Sequence, residues 1–107
     1  MPNVRKTFDH YKVQYTSSKR SLPLASITCY SGDTPVGLLE FVQTAGELRD
    51  PFIHQPSGMI FLPYLLGRFH DVLDLLRNEE PLELYFNTNT HWASILTSGA
   101  EPVSEGE

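Results

Sequence analysis

Residues 58–81, GMIFLPYLLGRFHDVLDLLRNEEP, form the most apolar stretch of this 107-residue chain and decide its fold. The stretch begins as a short buried strand, MIFL. A helix then starts at Pro63, because proline is tolerated in a first helical turn, and it ends at Pro81. Four residues spaced three and four apart form its apolar stripe: Leu66, Phe69, Leu73 and Leu76. This spacing predicts an amphipathic helix.

The helix needs an apolar partner, because most helical stability in proteins comes from the packing of an apolar face. Its opposite side carries charged residues: Arg68, Asp71, Asp74 and Arg77. The other apolar segments of the chain alternate like strands. We therefore expect the helix to lie across one face of a sheet.

Three strands are predicted before the helix. TFDHYKVQYTSS, residues 7–18, alternates between apolar and polar side chains and is expected to form one half-buried strand. On its buried face we place three residues: Tyr11, Val13 and Tyr15. LASITCYS (24–31) and VGLLEFVQ (36–43) follow after short connections, which make neighbouring strands antiparallel. Residues 44–58 contain glycine and two prolines and predict an ordered loop.

Residues 82–97 predict a β-hairpin, LELYF and HWASILT around the turn NTNT, because asparagine tolerates the positive φ of tight turns. The second strand carries apolar side chains on both faces, and such a strand is usually buried on both. With one helix in the chain, a second copy is the economical cover. We therefore expect a homodimer, with these candidate interface residues: Tyr85, Trp92, Ser94 and Leu96.

Together these elements predict an α+β fold: a strongly bent antiparallel sheet of five to six strands with one amphipathic helix packed across it. At 107 residues the chain is too short for two stable cores, so residues 1–97 are expected to form a single domain. Residues 98–107 form an acidic tail that we expect to be flexible.

The order of elements resembles the Whirly and positive-cofactor-four group of single-stranded-DNA-binding transcriptional regulators, with small cyanobacterial proteins of that fold as the nearest likeness. The residues that carry the resemblance are GMIFLPYLLGRFHDVLDLL (58–76), a short apolar strand that leads through a proline-containing turn into a helix. As an order of elements it covers residues 8–97. The resemblance implies a curved antiparallel sheet and single-stranded DNA binding. The DNA-contacting strands of that family are rich in Lys and Arg, and this chain departs from the pattern after residue 20.

The basic residues are concentrated near the N-terminus. Residues 1–22 hold five basic residues and one acid, a net charge of +4, whereas the remainder holds three basic residues and twelve acids, a net charge of −9. Single-stranded nucleic acid is bound by cations that follow the phosphates and by aromatic faces on which bases stack. The candidate nucleic-acid-binding residues are Arg5, Lys6, Phe8, His10, Lys12, Lys19 and Arg20. The overall charge of −5 disfavours such binding, and the alternative is that these residues form a solvated edge strand.

Catalytic and metal-binding motifs are absent from the sequence. The four histidines have no i, i+4 spacing, so we expect no metal and no cofactor. Cys29 lies in mid-strand on the same face as Ala25 and Ile27, which indicates a buried small side chain and not a nucleophile. A small enzyme, with His54 meeting Glu40 or Asp50 in a pocket, is the weaker alternative.

We therefore expect a non-enzymatic binding module, with single-stranded nucleic acid as the most concrete ligand. The alternative is a homodimeric assembly or protein-interaction protein that binds no nucleic acid. About 18 consecutive apolar residues are needed to span a bilayer, and no stretch of the chain reaches that length, so no membrane association is expected. The lone cysteine and the absence of a signal peptide favour a cytoplasmic location.

Overall fold

A computed structural model of the chain describes residues 3–17, 24–79 and 81–97. Within these residues the fold is α+β, as predicted, with eight strands and one α-helix. The strands are β1 (Asn3–Phe8), β2 (His10–Tyr15), β3 (Ala25–Ser31), β4 (Thr34–Val42), β5 (Phe52–Ile53), β6 (Ile60–Leu65), β7 (Leu82–Asn87) and β8 (Trp92–Thr97). The helix α1 spans Phe69–Asn78 and follows a 3₁₀ turn at Leu66–Arg68.

The strands form two sheets instead of one bent sheet of five to six strands. The three-stranded sheet has the order β1-β7-β8, and the five-stranded sheet has the order β2-β3-β4-β6-β5. All neighbouring strands are antiparallel except β4 and β6, which are parallel. Residues 43–59 cause this exception, because they carry the chain from the end of β4 back to the level of its start.

The predicted strand over residues 7–18 is divided at Asp9. β1 pairs with β7, whereas β2 pairs with β3 in the other sheet. The Asp9 carboxylate accepts a hydrogen bond from the Gly32 backbone N–H at 3.0 Å, and the Asp9 N–H donates to the Tyr30 carbonyl at 2.9 Å. Gly32 has φ of +61°, a conformation that glycine adopts without steric cost. These bonds hold the chain where it passes from one sheet to the other.

The helix stripe faces the core as predicted. Phe69 and Leu76 are buried, and Leu66 and Leu73 pack against the same cluster. The helix nevertheless begins later than expected. Pro63 lies in β6, opposite Glu40 of β4, and not in a first helical turn.

The prediction that Tyr11, Val13 and Tyr15 are buried is wrong. They are 37%, 41% and 63% exposed, respectively. β2 is the edge strand of the five-stranded sheet, and the helix reaches only the end of it, where the rings of Tyr15 and Phe69 meet at 5.4 Å. The side that faces the core in β3 is therefore largely uncovered in β2.

Two further expectations concern the C-terminal tail and the membrane. The tail 98–107 lies outside the described residues. Among the described residues, the one α-helix spans ten residues, and no helix has the length and apolar character needed to cross a membrane.

The two sheets are in contact where Leu84 of β7 packs on Gly37 of β4. A Cβ built on Gly37 would lie 2.0 Å from Leu84 Cδ1 and 3.2 Å from the Ile60 carbonyl oxygen. We predict that Gly37→Ala lowers the free energy of unfolding by about 1–3 kcal/mol, because an added methyl group overpacks the core. Urea denaturation followed by circular dichroism measures the change.

The matched control is Gly67→Ala. Gly67 has open space around its Cβ position and no positive φ, so this substitution is expected to change stability by less than about 1 kcal/mol. Equal losses for the two variants would contradict the close contact between the sheets.

Candidate interaction surface on the three-stranded sheet

The three-stranded sheet has one face in the core and an opposite face that is exposed at Arg5 and Trp92 and buried at Glu83. In antiparallel strands, directly paired residues share a face. Val4, Phe86 and Ala93 are paired across the three strands and face the core. The opposite side, which we call the outer face, is formed by three rows of paired residues: Asn3, Asn87 and Trp92; Arg5, Tyr85 and Ser94; Thr7, Glu83 and Leu96.

An arginine and two aromatic rings adjoin one another on the outer face. The Arg5 guanidinium lies over the Tyr85 ring, 5.2 Å from its centroid, and also forms an ion pair with Glu83. The Trp92 ring meets Tyr85 edge to face at a centroid distance of 5.4 Å. Trp92 is 58% exposed, so its ring is available to a partner.

Asparagine side chains anchor one end of this group. The Tyr85 hydroxyl donates a hydrogen bond to Asn3 Oδ1 at 2.8 Å, and Asn87 Nδ2 donates to the same oxygen at 3.1 Å. Tyr85 therefore has both its ring and its hydroxyl held in place. A rigid aromatic side chain loses little conformational entropy on binding, which favours its use as a contact residue.

The structure separates the candidate nucleic-acid-binding residues. Arg5 lies on the same outer face as all four candidate interface residues, whereas His10 and Lys12 lie in the five-stranded sheet. Lys6 faces the other side of β1, and its Nζ lies 3.9 Å from the position that a Cβ would take on Gly58. Lys19 and Arg20 lie outside the described residues.

Phe8 is a correction to the prediction. It is 8% exposed and belongs to the core cluster, so its ring offers no face to a base. The prediction treated residues 7–18 as a single strand, on which Phe8, His10 and Lys12 would share a side. The break at Asp9 removes that relation, because the three residues then belong to two sheets.

β8 is, among the described strands, a sheet edge without charged residues. Long edge strands usually carry charges, because their unpaired backbone groups otherwise add foreign strands. Among the described residues, β8 pairs only with β7, and its six residues, Trp92–Thr97, include no charge. The other edges differ, since β1 carries Arg5 and Lys6, β2 carries Lys12, and β5 is two residues long.

A groove of about 410 Å³ separates β8 from α1. It is lined by Tyr64, Arg68, Asp71, Val72, Leu75, Ala93, Ser94 and Ile95. Burial raises the pKa of Tyr64 to about 12, with a further increase from Cys29 and a decrease from Arg68. Neither Arg68 nor Asp71 forms an ion pair with another described residue. The groove thus combines an apolar floor with two opposite charges.

A second cleft, of about 440 Å³, lies where β1 passes into β2. His10 Nδ1 donates a hydrogen bond to Asp9 Oδ1 at 2.7 Å. The Gly32 backbone N–H, followed by the hydrogen bond from His10, lowers the pKa of Asp9 below its ordinary 3.8. This pair was not predicted; its signal in the sequence is the adjacent Asp9 and His10, at the point where the strand is broken. No described serine, threonine or cysteine lines the cleft as a nucleophile.

The residues considered for an enzyme have hydrogen-bond partners other than one another. His54 Nδ1 lies 2.7 Å from Ser57 Oγ, and Glu40 accepts a hydrogen bond from Arg49 at 3.0 Å. Among the described residues, no group of three or more His, Cys, Asp and Glu side chains is placed to hold a metal ion.

The chain matches no protein-family model, no curated protein and no solved structure. The function proposed below is therefore argued from the outer face, the β8 edge and the groove of this chain.

Cys29 provides a test of the core beneath these surfaces. It is fully buried, and burial raises the pKa of its thiol to about 12. The reactive thiolate then amounts to only about 10⁻⁴ of the thiol at pH 8. We predict that a chromogenic disulfide reagent reacts with the native protein at pH 8 only as fast as the protein unfolds, and immediately in denaturant.

The matched control is Thr90→Cys, which places a second thiol in the exposed hairpin turn. This thiol is expected to react rapidly in the native protein while Cys29 stays protected. A native wild-type protein that reacts as fast as free cysteine would contradict the burial of Cys29.

Proposed function

We propose that this chain is a non-enzymatic protein-interaction module that binds an extended polypeptide strand along the open edge of β8. The observation that carries the proposal is an uncharged edge strand of six residues whose first residue, Trp92, is 58% exposed on the outer face. Strand addition to a sheet edge is a recurring mode of peptide recognition, in which main-chain hydrogen bonds supply affinity and pockets for alternate side chains supply specificity.

The groove between β8 and α1 supplies such pockets. Alternate side chains of an added strand would point toward the groove, where Val72 and Leu75 form part of the apolar wall. The remaining side chains would lie on the outer face next to Trp92. Tryptophan is enriched among the residues that dominate interface energetics, and covering this ring would supply much of the binding free energy.

The dispersal of the basic residues favours a protein partner. Arg5 and Lys6 lie on opposite faces of β1, Lys12 lies in the other sheet, and Arg5 is paired with Glu83. A polyanion requires several cations along one path. We place the module in the cytoplasm, a location that rests on the single cysteine of the chain.

Single-stranded nucleic acid is a second candidate ligand, favoured by the arrangement of Arg5, Tyr85 and Trp92. Bases stack on exposed aromatic rings, and an arginine adds a cation–π contribution and a phosphate contact. This ligand is the one implied by the resemblance to the Whirly group, which stays a prediction. The net charge of −5 opposes it, so binding would depend on low salt.

Strand addition can be tested with a fluorescein-labelled peptide that has the sequence of residues 92–97, with phenylalanine in place of tryptophan. We predict saturable binding in fluorescence anisotropy. N-methylation of alternate amides on the hydrogen-bonding side is expected to weaken it about tenfold or more, because each lost hydrogen bond costs roughly 0.5–1.5 kcal/mol. Trp92→Ala is expected to weaken it about tenfold.

The matched control is Tyr15→Ala, which removes an exposed aromatic side chain from a different edge strand and should leave binding unchanged. The proposal fails if the peptide does not bind at millimolar concentration, or if the N-methylated peptide binds equally well.

The nucleic-acid alternative can be tested with the same tryptophan, which is the only one in the chain. If bases stack on the outer face, we predict that a labelled oligothymidylate quenches the fluorescence of Trp92 at 20 mM salt. The quenching is expected to be weaker at 200 mM salt. Arg5→Ala should remove the effect, because it deletes the cation above Tyr85. Lys12→Ala, in the other sheet, is the control that should change nothing. Absence of quenching at low salt would eliminate this candidate.

A further inference from the structure

We infer that the strand bound by β8 is the β8 of a second copy, paired antiparallel about a two-fold axis at Ser94. This inference rests on the proposed function of the β8 edge and adds the partner and the register. Antiparallel pairing of identical strands is self-complementary, so one kind of surface serves both copies. The result is one continuous sheet of six strands with the order β1-β7-β8-β8-β7-β1.

The lack of charge on β8 suits a second copy. Each chain carries a net charge of −5, and like charges that face each other across an interface oppose association. Two β8 strands meet without any charge of their own. Pairing through β2 would instead bring Lys12 of each copy close to the axis, and pairing through β1 would bring Arg5 and Lys6 together.

The register follows from the outer face of β8. With the axis at Ser94, Trp92 of each copy lies opposite Leu96 of the other, so this contact occurs two times in the dimer. Directly opposed apolar side chains stabilise antiparallel strands, and Leu96 is an apolar neighbour for the most exposed large apolar side chain of this sheet. The small side chain of Ser94 leaves room at the axis, where two identical residues meet. This register pairs all residues from 92 to 96.

The helix side of the groove adds charge complementarity. Arg68 and Asp71 line the same groove as Ser94 and form no ion pair with another described residue. A two-fold axis at Ser94 brings Arg68 of each copy toward Asp71 of the other. Two symmetric pairs of opposite sign then flank the axis. A second copy therefore supplies a partner of opposite sign for both charges of each chain.

The register also keeps the two helices on one side. When the axis passes through a residue, the numbers of two residues paired across the copies differ by an even number. An inner-face residue then pairs with an inner-face residue, as Ala93 of one copy does with Ile95 of the other. The outer faces of both copies then form one surface. An axis between two residues would set outer-face residues opposite inner-face residues, which the pleat of paired antiparallel strands does not allow.

Disulfide formation through Ser94→Cys tests the register. Cys29 is fully buried, so the new cysteine is the accessible thiol among the described residues. Mild oxidation with copper phenanthroline, with oxygen accepting the two electrons and two protons of the thiol pair, is expected to give a covalent dimer. Paired residues in adjacent strands have Cα atoms about 4.5–5.5 Å apart, within disulfide reach.

Thr90→Cys is the matched control. Thr90 lies in the hairpin turn, and with the axis at Ser94 the two copies of residue 90 would be separated by eight strand positions, about 26 Å. No cross-link is expected from this variant. Cross-linking at residue 90 but not at residue 94 would overturn the register.

Charge exchange tests the helix contact. We expect Arg68→Glu alone, or Asp71→Arg alone, to raise the dimer dissociation constant about tenfold, because each puts like charges together twice. The double variant with both substitutions restores opposite charges and is expected to return the dissociation constant to the wild-type value. Light scattering over a concentration series measures the mass. Equal weakening in the double variant would overturn the charge pairing.

The outcomes separate this inference from the proposed function. A strict monomer that still binds the β8 peptide, with loss on N-methylation, overturns the dimer and leaves the strand-binding function standing. A chain that neither dimerises nor binds the peptide overturns both. A dimer that is unaffected by Trp92→Ala and forms no cross-link at residue 94 overturns the use of β8, even though the chain self-associates.

Discussion

The contact of Leu84 with Gly37 holds the two sheets together, and the remaining architecture depends on it. The absence of a side chain at Gly37 lets Leu84 pack directly on β4, so the inner face of the three-stranded sheet closes one side of the core. Its other face is thereby directed to solvent with Arg5, Tyr85 and Trp92 on it. The helix completes the core from a different direction, which leaves a groove beside β8.

The edge strands of the two sheets differ in charge, and this difference favours association at one edge over the others. β1 and β2 carry cationic side chains that discourage strand addition. β8 carries none; it contains the exposed Trp92 and adjoins a groove with one basic and one acidic residue. The exposed apolar side of β2, around Val13, is accompanied by Lys12, whose charge protects that edge. The chain thus concentrates its capacity for association at one strand.

The secondary-structure elements that depend on residues close together in the sequence were predictable from local sequence patterns. The stripe through Phe69 and Leu76 follows from helical spacing, and the last hairpin follows from strand alternation around asparagines. Pro63 was assigned to the helix because a proline before an apolar stripe suits a first turn, but its position in β6 depends on the pairing with β4. The break at Asp9 depends on a hydrogen bond to Gly32, 23 residues away. No local pattern records that bond, so the sides occupied by the N-terminal basic residues were not predictable.

The pairing of β1 with β7 also has a consequence for the order of folding. Asn3 lies opposite Asn87, so β1 cannot pair with β7 until the β7–β8 hairpin has been synthesised. Contacts between residues so far apart in sequence are entropically costly and form late. The five-stranded sheet, whose strands β2, β3 and β4 are joined by short connections, can assemble earlier and serve as the template. The surface that carries Trp92 is therefore completed last, after the core that supports it.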